Sequence, residues 1–138
     1  MRDMGTPHQR MQELCNCYTE TDFLKEMARI GGDSDKDEAA LKWLALAVLY
    51  GLDREAKKIS LERSADGGIQ VLVKYKDSTL PDPGKEIGGK VIEAVRSITH
   101  IEGKKGEMPL AIGIRDSNLQ IRIQVKEEGG KEKITLEF

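Results

Sequence analysis

The stretch that comes nearest to a catalytic motif is Gly84-Lys85-Glu86-Ile87-Gly88-Gly89-Lys90-Val91. It fits G-x-x-x-x-G-K, the phosphate loop of nucleotide hydrolases, as far as Lys90. The motif then needs Ser or Thr, whose hydroxyl holds Mg²⁺, and this chain has Val91. It also needs a buried strand leading in, and the lead here is Pro81-Asp82-Pro83. The stretch is therefore expected to open an amphipathic helix, with neither tight ATP binding nor hydrolysis.

Other reactive side chains lack partners at a useful spacing. Cys15 and Cys17 lie one residue apart, and adjacent sulfurs of this kind make a poor structural disulfide. With only His8 nearby, they fall short of a metal-ligand set and read as free thiols. His100 has no second histidine or nucleophile near it and reads as a helix-end cap or surface residue. Ser60, Ser64 and Ser97 lie in no G-x-S-x-G context. The chain is expected to be no enzyme, with no catalytic residue, no metal and no cofactor.

Composition narrows the classes further. The 138 residues include 22 basic and 24 acidic side chains, a net charge of −2. Nucleic-acid binding normally needs a basic face, so it is not expected. No apolar run reaches the ~20 residues of a membrane span. The N-terminus lacks a basic-then-apolar export pattern, which gives an expectation of a cytoplasmic protein.

The elements follow from periodicity. Residues 1–18 show no clear period and are expected to be mobile, ahead of a single domain over 19–138. Phe23, Leu24, Met27 and Ile30 sit at helical spacing within Thr19 to Ile30, and Gly31-Gly32 stops that helix. Asp33-Ser34-Asp35 supplies caps for the next one. There, Leu41, Leu44, Ala45, Val48, Leu49 and Leu52 form a core-facing stripe. Ile59 and Leu61 alternate, as do Ile69, Val71, Val73 and Tyr75, and Asp66-Gly67-Gly68 turns between them as a hairpin. Asp82 as cap and Pro83 as first helical residue open a helix carrying Ile87, Val91, Ala94, Val95 and Ile98. Three strands follow, through Leu110 to Ile114, Leu119 to Val125 and Ile134 to Phe138, with turns at Asp116-Ser117-Asn118 and Glu127 to Gly130. One-sided alternation leaves one sheet face wet, with Gln120, Arg122 and Gln124 on it. The fold class expected is α+β: an antiparallel sheet of about five strands with helices packed on one face.

Two groups of residues are candidate partner contacts. Trp43, Leu46 and Tyr50 form a second apolar stripe on the long helix, and a helix apolar on two faces must be covered on two sides. The cover is either the helix through Phe23 to Ile30 or a second protein chain. Lys74, Lys76, Lys104 and Lys105 are the second group, a basic spot or a solvated strand edge.

Leu41 to Phe138 also resembles the domain that precedes the motor domain in ATPases of type II secretion and type IV pilus assembly. The family's strand reads roughly A-S-D-I-H-I-E-P, against Ala56-Lys57-Lys58-Ile59-Ser60-Leu61-Glu62-Arg63 here. Its hairpin reads roughly V-R-Y-R-x-D-G, against Val73-Lys74-Tyr75-Lys76-Asp77-Ser78. Its I-A-E-K-R-L-P-Q-D-G-R-I matches in length Ile101 to Ile112. The Ser-Asp and His of the first strand are replaced by Lys57, Lys58 and Ser60, and Gln-Asp-Gly by Met108-Pro109-Leu110. The P-loop, acidic boxes and histidine box of the motor do not occur. The resemblance implies a PAS-like fold, with Lys74, Lys76, Lys104 and Lys105 at the family's basic contact positions. Together these readings give a non-catalytic protein-interaction or regulatory module linked to secretion or pilus assembly, with a protein partner or self-association. The alternative is a PAS-like sensor for a small ligand.

Overall fold

The computed structural model describes residues 7–18, 21–32, 35–74, 83–114 and 117–138. Among these, four α-helices and five strands form an α+β fold: α1 (Pro7–Tyr18), α2 (Phe23–Arg29), α3 (Lys36–Asp53), β1 (Lys58–Arg63), β2 (Ile69–Lys74), α4 (Gly84–Thr99), β3 (Lys105–Ile114), β4 (Ser117–Glu128) and β5 (Lys131–Glu137). The strands make one sheet in the order β2-β1-β5-β4-β3, antiparallel throughout.

The sheet has an apolar side and a polar side because its side chains alternate. Ile59, Leu61, Ile121, Ile123, Val125, Ile134 and Leu136 are buried, and α4 packs against β1, β2, β3 and β5 on that side. Gly88 and Gly89 of the G-x-x-x-x-G-K stretch lie inside α4 and are buried. A Cβ on Gly88 would stand 2.5 Å from Ile69, so the absence of a side chain lets α4 approach β2. Lys90 is turned toward α3, with Nζ 3.3 Å from Asp37, and that ion pair raises its pKa.

Local capping sets most helix boundaries. Asp22 accepts from Lys25 N at 3.2 Å and Asp35 accepts from Glu38 N at 3.1 Å, so α2 starts after Asp22 rather than at Thr19. The expected caps at Asp33 and Ser34, and Asp82, lie outside the described residues. Pro83 is the N-cap of α4 and not its first helical residue, and it makes no side-chain cap bond. His100 is the C-cap, left-handed with φ 59°, and exposed. β3 begins five residues before Leu110, so Lys105 is a strand residue. Ser117 and Asn118, expected in the turn, already pair in β4, and Asp116 lies outside the described residues.

One expectation is corrected at the N-terminus. Over 7–18 the chain is helical, and Met11, Leu14 and Cys15 are buried against α3 with Tyr18 half-buried. Those four residues follow the i, i+3, i+4, i+7 pattern, but Gln, Arg and Asn around them mask the stripe. Arg10 anchors the helix through Glu38, with Nε donating to Oε1 at 2.8 Å. Gln12 anchors it to the sheet: Gly113 N donates to Gln12 Oε1 at 2.7 Å, and Gln12 Nε2 donates back to Gly113 O. A side-chain amide thus takes the place of a neighbouring strand at the β3 edge. Pro109, on the same strand, can sit at an edge because it has no N–H to leave unpaired.

Candidate functional site

The two groups of sequence candidates part company in the structure. Trp43 and Leu46 are fully buried, and Tyr50 is 4% exposed. They lie in the layer where α1 and α2 cover α3, so the candidate contacts on this helix are corrected: the chain covers its own second stripe. α2, the expected cover, supplies part of it; α1 supplies the rest. The second face of α3 needed more apolar area than seven residues of α2 could provide. Tyr50 keeps one edge toward a shallow groove of about 390 Å³ with Phe23, Leu24 and Arg54.

Of the lysines, Lys76 and the side chain of Lys74 lie outside the described residues. Lys104 and Lys105 are exposed. The Lys104 carbonyl accepts from Glu127 N at 2.6 Å, which carries the β3–β4 pairing one step beyond the strand. Lys105 opens β3 and sits on the sheet side away from the helices, directly opposite Lys126.

That polar side is a surface with an ordered pattern. Antiparallel pairing aligns its side chains in rows running across the strands. Lys58, Glu137 and Arg122 form one row, with Lys74 in register beyond Lys58 and Glu137 between opposite charges; Lys58 Nζ is 3.4 Å from Glu137. Leu72, Ser60, Thr135, Gln124 and Glu107 form the next. Ser60 and Thr135 share a 3.0 Å hydrogen bond at its centre, and Glu107 accepts from Gln124 and from Arg122 at 3.0 Å each. Leu72 is 44% exposed at its edge. The third row is Gln70, Glu62, Lys133, Lys126 and Lys105. It sets three lysines side by side. A groove of about 460 Å³, open to solvent, is lined by Lys105, Gly106, Glu107, Gln124, Val125 and Lys126.

Sequence reading reached Lys105 but not Lys126 or Lys133. Both stand at polar positions of alternating strands, so their place on the polar face was legible. Their place beside Lys105 depends on strand order and register, which alternation does not fix.

Other charged clusters are internally balanced. Arg96 Nη1 donates to the carbonyls of Ile101 and Gly103, at 3.2 and 2.8 Å, while Nη2 and Nε lie 3.4 Å from Glu127 and Glu132. Arg63 also bonds Glu132. This network ties the end of α4 to the β4–β5 turn. Cys15 is buried and Cys17 exposed; burial pushes the Cys15 thiol up to about 12. Among the described residues no group of three His, Cys, Asp or Glu side chains is placed to hold a metal ion. No helix among them is long and apolar enough to cross a membrane.

Comparison with protein-family models and with curated proteins finds no match to this chain.

Proposed function

We propose that the chain is a non-catalytic protein-interaction module that docks its partner on the open face of the sheet. The observation that carries this reading is one-sidedness: helices pack on one face, while the other presents two rows rich in charged side chains on either side of the row through Ser60 and Thr135. Such a face offers many hydrogen-bonding and charged groups and, among the described residues, no reacting constellation. The layer between sheet and helices is filled by Ile, Leu, Val and Ala side chains, and no described buried side-chain polar atom lacks a partner. That supports an interaction module over a small-ligand sensor, whose pocket needs a few polar groups aimed inward. A PAS-like classification belongs to the same proposal, supported by the order hairpin, crossover helix and three-strand meander. A role beside a secretion or pilus-assembly ATPase belongs to it too, supported by the resemblance over Leu41 to Phe138.

A photo-crosslinking residue placed at Gln124 or Lys58 on the open face, or at Lys25 or Gln9 on the helical side, tests the reading in cells. Discrete protein adducts from the open-face positions alone are expected. Adducts confined to the helical side overturn it, as does a Mg-ATP titration showing micromolar binding that Lys90→Ala abolishes.

A further inference from the structure

Charge order separates one row of the open face from its neighbours. In the row of Lys58, Glu137 and Arg122, Glu137 stands between two opposite charges, and the one like-charge pairing is at the sheet edge, where Lys58 is in register with Lys74. In the row of Lys133, Lys126 and Lys105, each lysine meets another. Like charges directly opposite destabilise a sheet. The local offsets are few: Glu128 lies 3.3 Å from Lys126, and Glu62 stands across from Lys133. Among the described residues, no carboxylate is within ion-pair distance of Lys105. The row therefore carries a cost in the free chain that an anionic partner would relieve.

We infer that this row seats an α-helix of a partner protein bearing an acidic stripe, laid across β3, β4 and β5 at right angles to the strands. The inference rests on the open face being the docking surface. Spacing selects the helix. Directly paired residues have Cα atoms about 4.5 or 5.5 Å apart in alternation, so the three lysines span about 10 Å. Carboxylates at i, i+4 and i+7 of a helix span about 10 Å as well, at about 1.5 Å per residue. Alternate carboxylates on an extended strand, i, i+2 and i+4, span about 13 Å and fall out of step. Glu62, Glu107 and Glu128 border the three lysines, and the whole chain, these lysines included, carries a net charge of −2. A nucleic-acid backbone would meet repulsion on either side, whereas a stripe one side chain wide fits between. An anionic bilayer would meet the same carboxylates, with no large apolar side chain beside Lys126 to insert.

The test uses the full chain and a fluorescent helical peptide with Glu at i, i+4 and i+7. Controls are a peptide of equal composition with its glutamates spread around the helix, phosphatidylserine vesicles, and a single-stranded RNA oligonucleotide. The striped peptide is expected to bind at low salt and to bind about tenfold more tightly than the spread one. Lys126→Glu should weaken it about tenfold or more, and Lys133→Gln by less, whereas Lys25→Gln on the helical side leaves it within about twofold. Circular dichroism establishes that each variant is folded. Equal binding of the two peptides, striped-peptide binding indifferent to Lys126→Glu, or row-dependent binding of vesicles or RNA in place of peptide overturns the proposal. Crosslinks from Gln124 that persist in Lys126→Glu remove the acidic helix and leave the open-face reading standing. Their absence in the unsubstituted chain removes that reading itself.

Discussion

On the side facing the helices, β4 presents Ile121, Ile123 and Val125; on the other it presents Arg122, Gln124 and Lys126. The backbone is shared, so the pairing energy is shared, and the two faces differ only in what meets the side chains. The helical side is governed by close packing, in which a missing methylene leaves a void. The open side is governed by water, which screens exposed charges. Fold stability is concentrated on the first face, and the second is the one proposed to meet a partner. The helical layer is itself built in two tiers: α4 touches the sheet most broadly, and α1 and α2 cover the outer side of α3.

The largest effect should follow from stripping the outer tier. Deleting residues 1–18 removes the buried Met11, Leu14 and Cys15, uncovers part of α3 and frees the Gly113 edge that Gln12 holds. At about 1.5–3 kcal/mol for each large buried apolar side chain, the loss should be about 5 kcal/mol or more in urea unfolding. A change of less than about 1 kcal/mol contradicts the docked position of α1. Next is a neighbouring pair on β4. Ile123→Ala should cost about 2–5 kcal/mol. Gln124→Ala, one residue along, should stay within about 0.5 kcal/mol. Equal losses would erase the difference between the faces.

Cys15 gives a smaller, pH-dependent effect. Burial raises its pKa from 9.0 to about 12, so the folded state holds the proton that the unfolded state releases first. Its contribution is fully present below pH 9 and is lost as pH rises toward 12. By about pH 10 the thiol alone should lower stability by roughly 1 kcal/mol relative to about pH 8, and Cys15→Ala should remove that dependence. At neutral pH a thiol reagent should modify exposed Cys17 rapidly and Cys15 only as the chain opens.

Legibility in the sequence followed locality. Alternation in β1, β2, β4 and β5 and the stripe of α3 are local, so the α+β class and the wet face could be read from them. The stripe of α1 is local too, but Met11, Leu14, Cys15 and Tyr18 are interleaved with Gln, Glu, Asn and Cys17, which lowers the contrast. The apolar second face of α3 announced that it needed covering without naming the cover, because Trp43 buried by α1 and α2 and Trp43 buried by another chain have the same sequence. The lysine row was the least legible. Lys105, Lys126 and Lys133 come from three strands, and a slip of one residue in any pairing would separate them.

The open face places Lys133, Lys126 and Lys105 side by side, and on the cost of that placement the acidic-helix inference turns. The most direct measurement is the unfolding free energy of Lys126→Glu and Glu137→Lys at low salt. Lys126→Glu gives the middle of the row two opposite-sign neighbours while giving up the exposed pair with Glu128, and it should stabilise the chain by about 0.2–1 kcal/mol. Glu137→Lys makes its row positive throughout, from Lys58 to Arg122, and it should destabilise by a similar amount. Both differences should shrink as salt is added. A loss of stability in Lys126→Glu at low salt would mean that the lysines are not strained against one another and that the row carries no cost for a partner to relieve.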